Sequence, residues 1–125
     1  MKFLTFIKHA ENPNEGPPPA ALMEAMGKFI EKTMKEGTLV DTGGLLPTSK
    51  AKKFRVVKGK LTITDGPFSE SKEVVGGWAM LEGTHEQAMR VAKEFVDLHL
   101  IHWPEFEFEC EFRPCAGPDD MPGAK

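Results

Sequence analysis

The segment Asp65-Gly66-Pro67-Phe68, followed by Glu70, Lys72 and Glu73, holds the densest set of groups able to move protons. Asp65 closes a run of strand-forming residues, where a carboxylate either accepts backbone N–H bonds or reaches into a cavity. Gly66 permits close backbone approach, Pro67 fixes φ, and Phe68 offers an apolar anchor. Glu70 and Glu73 flank Lys72, so acid, base and counter-charge share one short stretch, as general acid–base catalysis requires. The same residues equally compose an ordinary turn followed by a solvated charged face.

Other residues offer less. His9 ends the first apolar run. Trp78 follows Gly76-Gly77, two glycines that weaken a strand and so clear space for a ligand or for a close backbone. Equally, Trp78 is a core aromatic packed over small residues. His85 falls in the first turn of a helix. His99 and His102 are three apart, but no carboxylate or thiolate is spaced as a third zinc ligand, so no metal and no cofactor is expected. Cys110 alternates with Phe and reads as a small core residue, while Cys115 lies beyond the last strand with no CxxC pattern. Lys50, Lys52, Lys53, Arg55, Lys58 and Lys60 form a basic stretch, suited to an anionic ligand or to blocking edge-to-edge strand pairing.

The elements that would position these groups follow from periodicity. Residues 3–9 read as a buried strand. Residues 20–36 place Leu22, Met26, Phe29, Ile30 and Thr33 on one helical face, with Gly37 as the stop. A short strand at 38–42 ends at Gly43-Gly44. The run KKFRVV-KG-KLTITD reads as a hairpin closed by Lys58-Gly59. That register sets Phe54 opposite Ile63 and Val56 opposite Leu61 on one face, with Lys53, Arg55, Thr62 and Thr64 on the other. Residues 74–83 form another strand. Thr84 and Gln87 make a capping box, and the helix after it lines up Ala88, Val91, Ala92, Phe95, Leu98 and His99. Residues 106–113, FEFECEFR, alternate cleanly as a last strand. The order is a β-α-β unit, an inserted hairpin, and a second β-α-β unit. It predicts a ferredoxin-like α+β fold, an antiparallel sheet with two helices on one face. Residues 1–114 form a single domain and 115–125 a loose tail.

The 125 residues carry 16 basic and 19 acidic side chains, a net charge of −3, which argues against a nucleic-acid partner. No apolar run approaches a membrane span, and residues 3–7 are too short for a signal-peptide core, so a cytoplasmic setting is expected. Two helices cover only one sheet face, yet the central strands are apolar on both. Phe3 and Ile7 oppose Leu4 and Phe6; Val74, Trp78 and Met80 oppose Val75, Ala79 and Leu81. Sheet-to-sheet packing in a homodimer is the expected cover, with Glu107, Glu109 and Glu111 answering the basic hairpin across the interface.

The run DGPFSESKEVVGGW resembles the signature of the DGPF-domain branch of the YCII-related family. The likeness extends from KFLTFIKHAE through ALMEAMGKFIEKTMKEGTLVDTGGLLP and KLTITDGPF to Phe112-Arg113-Pro114. It implies a dimeric α+β barrel, a superfold shared with small-molecule isomerases, dehalogenating lyases, monooxygenases and haem-handling enzymes. Members of the branch are often encoded near sigma-factor genes, and their activity is mostly unassigned. The wider family implies a His–Asp acid–base pair with the His on the first helix. This chain has no His between Leu22 and Gly37, which leaves Asp65 as the acid and His9 as the nearest base. The resulting expectation is a small-molecule enzyme of isomerase or lyase type, its site lying between the sheet and the DGPF loop. Asp65 and His9 would be catalytic. Gly66, Pro67, Phe68, Glu70, Lys72, Trp78 and Arg113 would bind substrate, with Lys72 or Arg113 stabilising charge. The alternatives are a non-catalytic ligand-binding or transcription-associated regulatory module, and a purely structural dimer.

Overall fold

A computed structural model of the chain describes residues 1–12, 16–68 and 71–120. The predicted site residue Glu70 lies outside them. Six strands and two long helices appear: β1 (Lys2–His9), α1 (Ala20–Lys35), β2 (Leu39–Gly44), β3 (Lys52–Val57), β4 (Lys60–Asp65), β5 (Val74–Glu82), α2 (His85–His102) and β6 (Glu109–Pro114). The main sheet is antiparallel in the order β2-β5-β1-β6, so the two most apolar strands hold its centre. β3 and β4 form a separate hairpin between the two halves. The fold is α+β and ferredoxin-like.

The helices start and stop for local reasons. α1 begins directly after Pro19 and ends at Gly37, whose φ of +82° suits a residue without Cβ. α2 carries the full capping box. The Thr84 hydroxyl accepts from the Gln87 backbone N–H at 3.1 Å, and the Gln87 side chain accepts from the Thr84 N–H at 2.9 Å. Both helices lay their apolar stripes on one sheet face. Phe3, Phe29, Leu39, Leu81, Ala88, Val91 and Ala92 form the core there. Phe3 also stacks on Phe112 with centroids 4.9 Å apart. β-Alternation puts Leu4, Phe6, Trp78 and Met80 on the opposite face, and none of them joins that core.

The hairpin has the expected register. Phe54 pairs with Ile63, Val56 with Leu61 and Val57 with Lys60. Lys58 and Gly59 have φ of 50° and 76°, the two positive values of a type I′ turn.

Two element bounds differ from the sequence reading. β2 runs on through Gly43 and Gly44 instead of ending before them, because both pair with β5, opposite Trp78 and Gly77. The last strand begins at Glu109, not at residue 106. Phe106 folds back on Trp103, with its N–H donating to the Trp103 carbonyl at 3.1 Å. The two rings stack at 4.4 Å, and Phe108 stacks on Phe106 at 5.2 Å. An aromatic column here outcompetes two more ladder positions.

Candidate functional site

Four glycines cluster at the adjoining ends of β2 and β5, along the wall of a pocket between helices and sheet. Gly44 pairs with Gly77 and Gly43 with Trp78. Between Ile7 and Lys8 the β1–β5 register slips, making Gly76 the extra residue of a bulge. A Cβ at Gly44 would meet nothing and one at Gly77 only backbone, whereas His9 fills the position beside Gly76 and Trp78 the one over Gly43. A chamber of about 480 Å³ opens there between α1, α2 and the sheet. That size lies within the range of small-molecule sites. Its walls are mostly apolar, including Met26, Ile30, Val91, Ala92 and Phe95. Trp78 lies at its edge, with the indole over Gly43 on the opposite, helix-free sheet face, where a Cβ on Gly43 would sit 3.0 Å from Nε1.

Few polar groups converge on this space. Thr5 and Thr42 donate their hydroxyls to the carbonyls of Ala79 and Trp78, at 3.4 and 2.8 Å, and keep only acceptor capacity. Cys110 contributes a thiol that burial pushes to a higher pKa, so it stays protonated and is no thiolate nucleophile. His99 is the distinctive group. It is 7% exposed and packs against Phe95, Phe106 and Phe108. Its Nδ1 lies 3.0 Å from the Phe95 carbonyl oxygen. A carbonyl only accepts, so Nδ1 carries the proton, and in the neutral ring Nε2 keeps its lone pair. His99 therefore brings to the chamber wall a ring nitrogen able to accept a hydrogen bond.

The DGPF segment stands elsewhere. None of Asp65, Gly66, Pro67 and Phe68 lines the chamber, so the expected pocket between sheet and DGPF loop is replaced by one between sheet and helices. Asp65 ends β4 with its side chain 73% exposed and paired to Lys52 at 2.6 Å. Gly66 donates its N–H to the Ala51 carbonyl at 2.8 Å, and a Cβ there would collide with the Thr48 carbonyl. Pro67 follows in a cis peptide. Phe68 is buried under Lys53, whose Nζ sits 4.1 Å from the ring centroid. The Phe68 N–H donates to Thr48 Oγ1 at 3.2 Å. Thr48 in turn donates its hydroxyl to Glu11 Oε1 and its N–H to Glu11 Oε2, the latter at 2.8 Å. These two bonds hold the Glu11 carboxyl below its ordinary pKa. The segment is thus clasped to the turn before β3 and, through Thr48, to the loop after β1.

His9 lies against Gly76, where a Cβ would strike its Nε2. Its Nδ1 is 2.9 Å from the Ala10 carbonyl, and its ring faces Phe106 at 5.4 Å. Among the described residues no hydrogen bond or ion pair joins His9 to Asp65. Lys72 is exposed. Arg113 sits on β6 opposite Leu4, exposed, with its Nε 3.5 Å from Glu111. Of the residues expected to act on or bind substrate, Trp78 borders the chamber, together with Gly76 and Gly77, the pair read as clearing space for a ligand. His99 was passed over as a site residue, although its place on the apolar stripe of α2 was the available signal. Among the described residues no three His, Cys, Asp or Glu side chains converge as a metal would need. No described helix is long and apolar enough to cross a membrane.

The YCII-related domain family matches residues 1–95. The chain belongs to that family. No curated protein matches it. The matched stretch ends within α2; the rest of α2, including His99, and the sheet's outer strand β6 lie beyond it.

Proposed function

We propose that this YCII-related protein binds a small, mainly apolar molecule carrying one hydrogen-bond donor, with the apolar body in the helix–sheet chamber and the donor on His99 Nε2. The observation that carries this reading is the chamber itself: about 480 Å³ of space walled mostly by apolar side chains, with the His99 ring on its wall. An apolar pocket with few convergent polar groups is the usual form of a small-molecule site. The DGPF sequence supports placing the chain in the DGPF branch of the family, with its motif as a structural clasp beside the site.

The test is a thermal-shift screen of phenols and medium-chain alcohols on wild type, Ala92→Leu and His99→Phe. A ligand at one hundred times its Kd stabilises by about 2.7 kcal/mol. For 125 residues that is a rise of roughly 10 °C in Tm. Ala92→Leu fills the chamber and should abolish the rise, while His99→Phe should reduce it for hydroxylated ligands. A shift retained in Ala92→Leu would refute the location.

The same imidazole supports a second reading, an acid–base enzyme of isomerase or lyase type. A neutral Nε2 lone pair in an apolar chamber suits proton abstraction from a bound molecule. Asp65, paired in solvent with Lys52, and His9, covered by Gly76, are less well placed for that step. Incorporation of solvent deuterium into a ligand found by the screen, lost in His99→Gln, would establish catalysis.

A further inference from the structure

A second hollow, of about 400 Å³, lies against the C-terminal end of α2. Trp103, Glu105, Phe106 and Glu107, from the chain leaving the helix, wall it on one side, and Ala10 and Pro17, from the loop after β1, on the other. Trp103 also lines the apolar chamber, so one indole stands between the two spaces. His99 precedes it by one helical turn, roughly 6 Å along the axis. This imidazole is 7% exposed, and Nε2 has no hydrogen-bond partner among the described residues. No described polar side-chain atom is at once sealed from solvent and unpartnered. Nε2 therefore meets open space, and the space that His99 lines is the chamber.

The charge of the second hollow breaks a local rule. The C-terminal end of a helix is the negative end of its dipole and favours cations, yet Glu105 and Glu107 follow α2 closely. Both are exposed, and neither forms an ion pair among the described residues. Glu111, farther along the same stretch, is answered by Lys8 at 3.0 Å. The basic side chains in the last turn of α2 are His99 and His102, and neither is paired with the two glutamates. Beside them, Trp103 and Phe106 stack at 4.4 Å as an aromatic wall, and aromatic faces attract cations. Unanswered carboxylates at the wrong end of a helix leave a place for a positive charge that the described chain does not fill, and such breaches concentrate at functional sites.

We propose that the chamber's ligand is an amphipathic amine. Its apolar body fills the chamber, a hydrogen-bond donor beyond that body meets His99, and its ammonium group lies past Trp103 in the second hollow, against Glu105, Glu107 and the aromatic wall. This assignment rests on the chamber reading and adds the ligand's charge to it. The order of groups follows the order of the walls: apolar side chains, then the imidazole, then one turn on the indole, then the carboxylates. The one-turn spacing from His99 to Trp103 calls for about four bonds between donor and cation.

Titration calorimetry with 3-decanol, 1-amino-3-decanol and 3-hydroxydecanoate on wild type, Glu105→Gln/Glu107→Gln and Ala92→Leu tests the assignment. The three probes share tail and hydroxyl and differ in the charge of the head. Wild type should bind the amine about tenfold more tightly than the alcohol, the gain that exposed ion pairs and one cation–π contact supply, and the hydroxy acid most weakly. In the glutamate variant the amine-to-alcohol affinity ratio should fall to unity. Both glutamates are exposed, so the fold survives their substitution, which helical circular dichroism verifies. Ala92→Leu should weaken all three probes together. An amine that binds no more tightly than either other probe, or a preference that persists without the glutamates, overturns the cation site. The chamber reading then still stands where the alcohol loses affinity in Ala92→Leu. Amine binding indifferent to Ala92→Leu overturns both, and so does a wild type that binds none of the probes.

Discussion

If the DGPF segment is a clasp, Phe68 and not Asp65 should dominate its energetics. Phe68 is only 8% exposed, and its N–H is anchored on Thr48. Truncating a buried Phe to Ala costs about 3–5 kcal/mol. A loop at the protein's edge collapses partly into the gap, which places the cost near the lower end, about 3 kcal/mol. Loss of the Lys53 cation from the ring face adds about 0.5–1 kcal/mol. Asp65→Ala removes an ion pair whose side chains are 73% and 62% exposed. Solvent screening reduces such a pair to about 0.5 kcal/mol or less. For a 125-residue chain each kcal/mol is worth about 4 °C in Tm. Phe68→Ala should therefore melt roughly 12 °C or more below wild type, and Asp65→Ala within about 2 °C. Calorimetry at neutral pH reads both. A larger loss for Asp65→Ala than for Phe68→Ala would refute the clasp and return the carboxylate to the centre of the motif.

The remaining predictions follow from single contacts. Glu11 has a depressed pKa in the fold, so its contribution is complete above the ordinary glutamate value near 4.3 and fades as pH falls through the lower folded value. The stability gap between wild type and Glu11→Gln, measured by urea unfolding, should accordingly be widest near neutrality and close in acid. Thr84→Ala removes the hydroxyl half of the α2 capping box and should cost about 1 kcal/mol, read as a fall of about 4 °C in Tm. If the β6 glutamates answer the basic hairpin of a second copy, as the sequence suggests, Glu109→Lys should weaken association in low salt, with the difference fading at higher ionic strength; an unchanged association constant at low salt would count against that pairing.

Much of the fold was legible because periodicity and turn chemistry agreed. The central strands 3–9 and 74–82, the Thr84–Gln87 cap and the hairpin register all rest on short-range patterns that no tertiary contact overrides. Phe106 and Phe108 show the opposite case. A spacing of two fits a strand face, but it also fits a column of rings stacked on Trp103, and stacking prevailed. Asp65 was legible in a way its chemistry concealed. Once Val57 faces Lys60, the same ladder sets Lys52 opposite Asp65 at the base of an exposed hairpin. A carboxylate in that position meets a lysine and water before it meets a substrate.

The chamber was hidden for a different reason. It lies beside Gly44 and Gly77, paired across strands more than thirty residues apart in sequence, and an absence of side chains has no period to detect. Gly43-Gly44 alone reads as a strand end, and Gly76-Gly77 as room for a ligand or for a close backbone. Only the Gly44–Gly77 pairing across β2 and β5, on the helix-covered face, shows where that room lies. His99 gains its meaning from the same event. On the apolar stripe of α2 a histidine is a liability unless its N–H finds a carbonyl, as it does at Phe95. With that bond made, the ring's other nitrogen is oriented by its own helix, and the chemistry moves from the conspicuous motif to an inconspicuous residue thirty-four positions beyond Asp65.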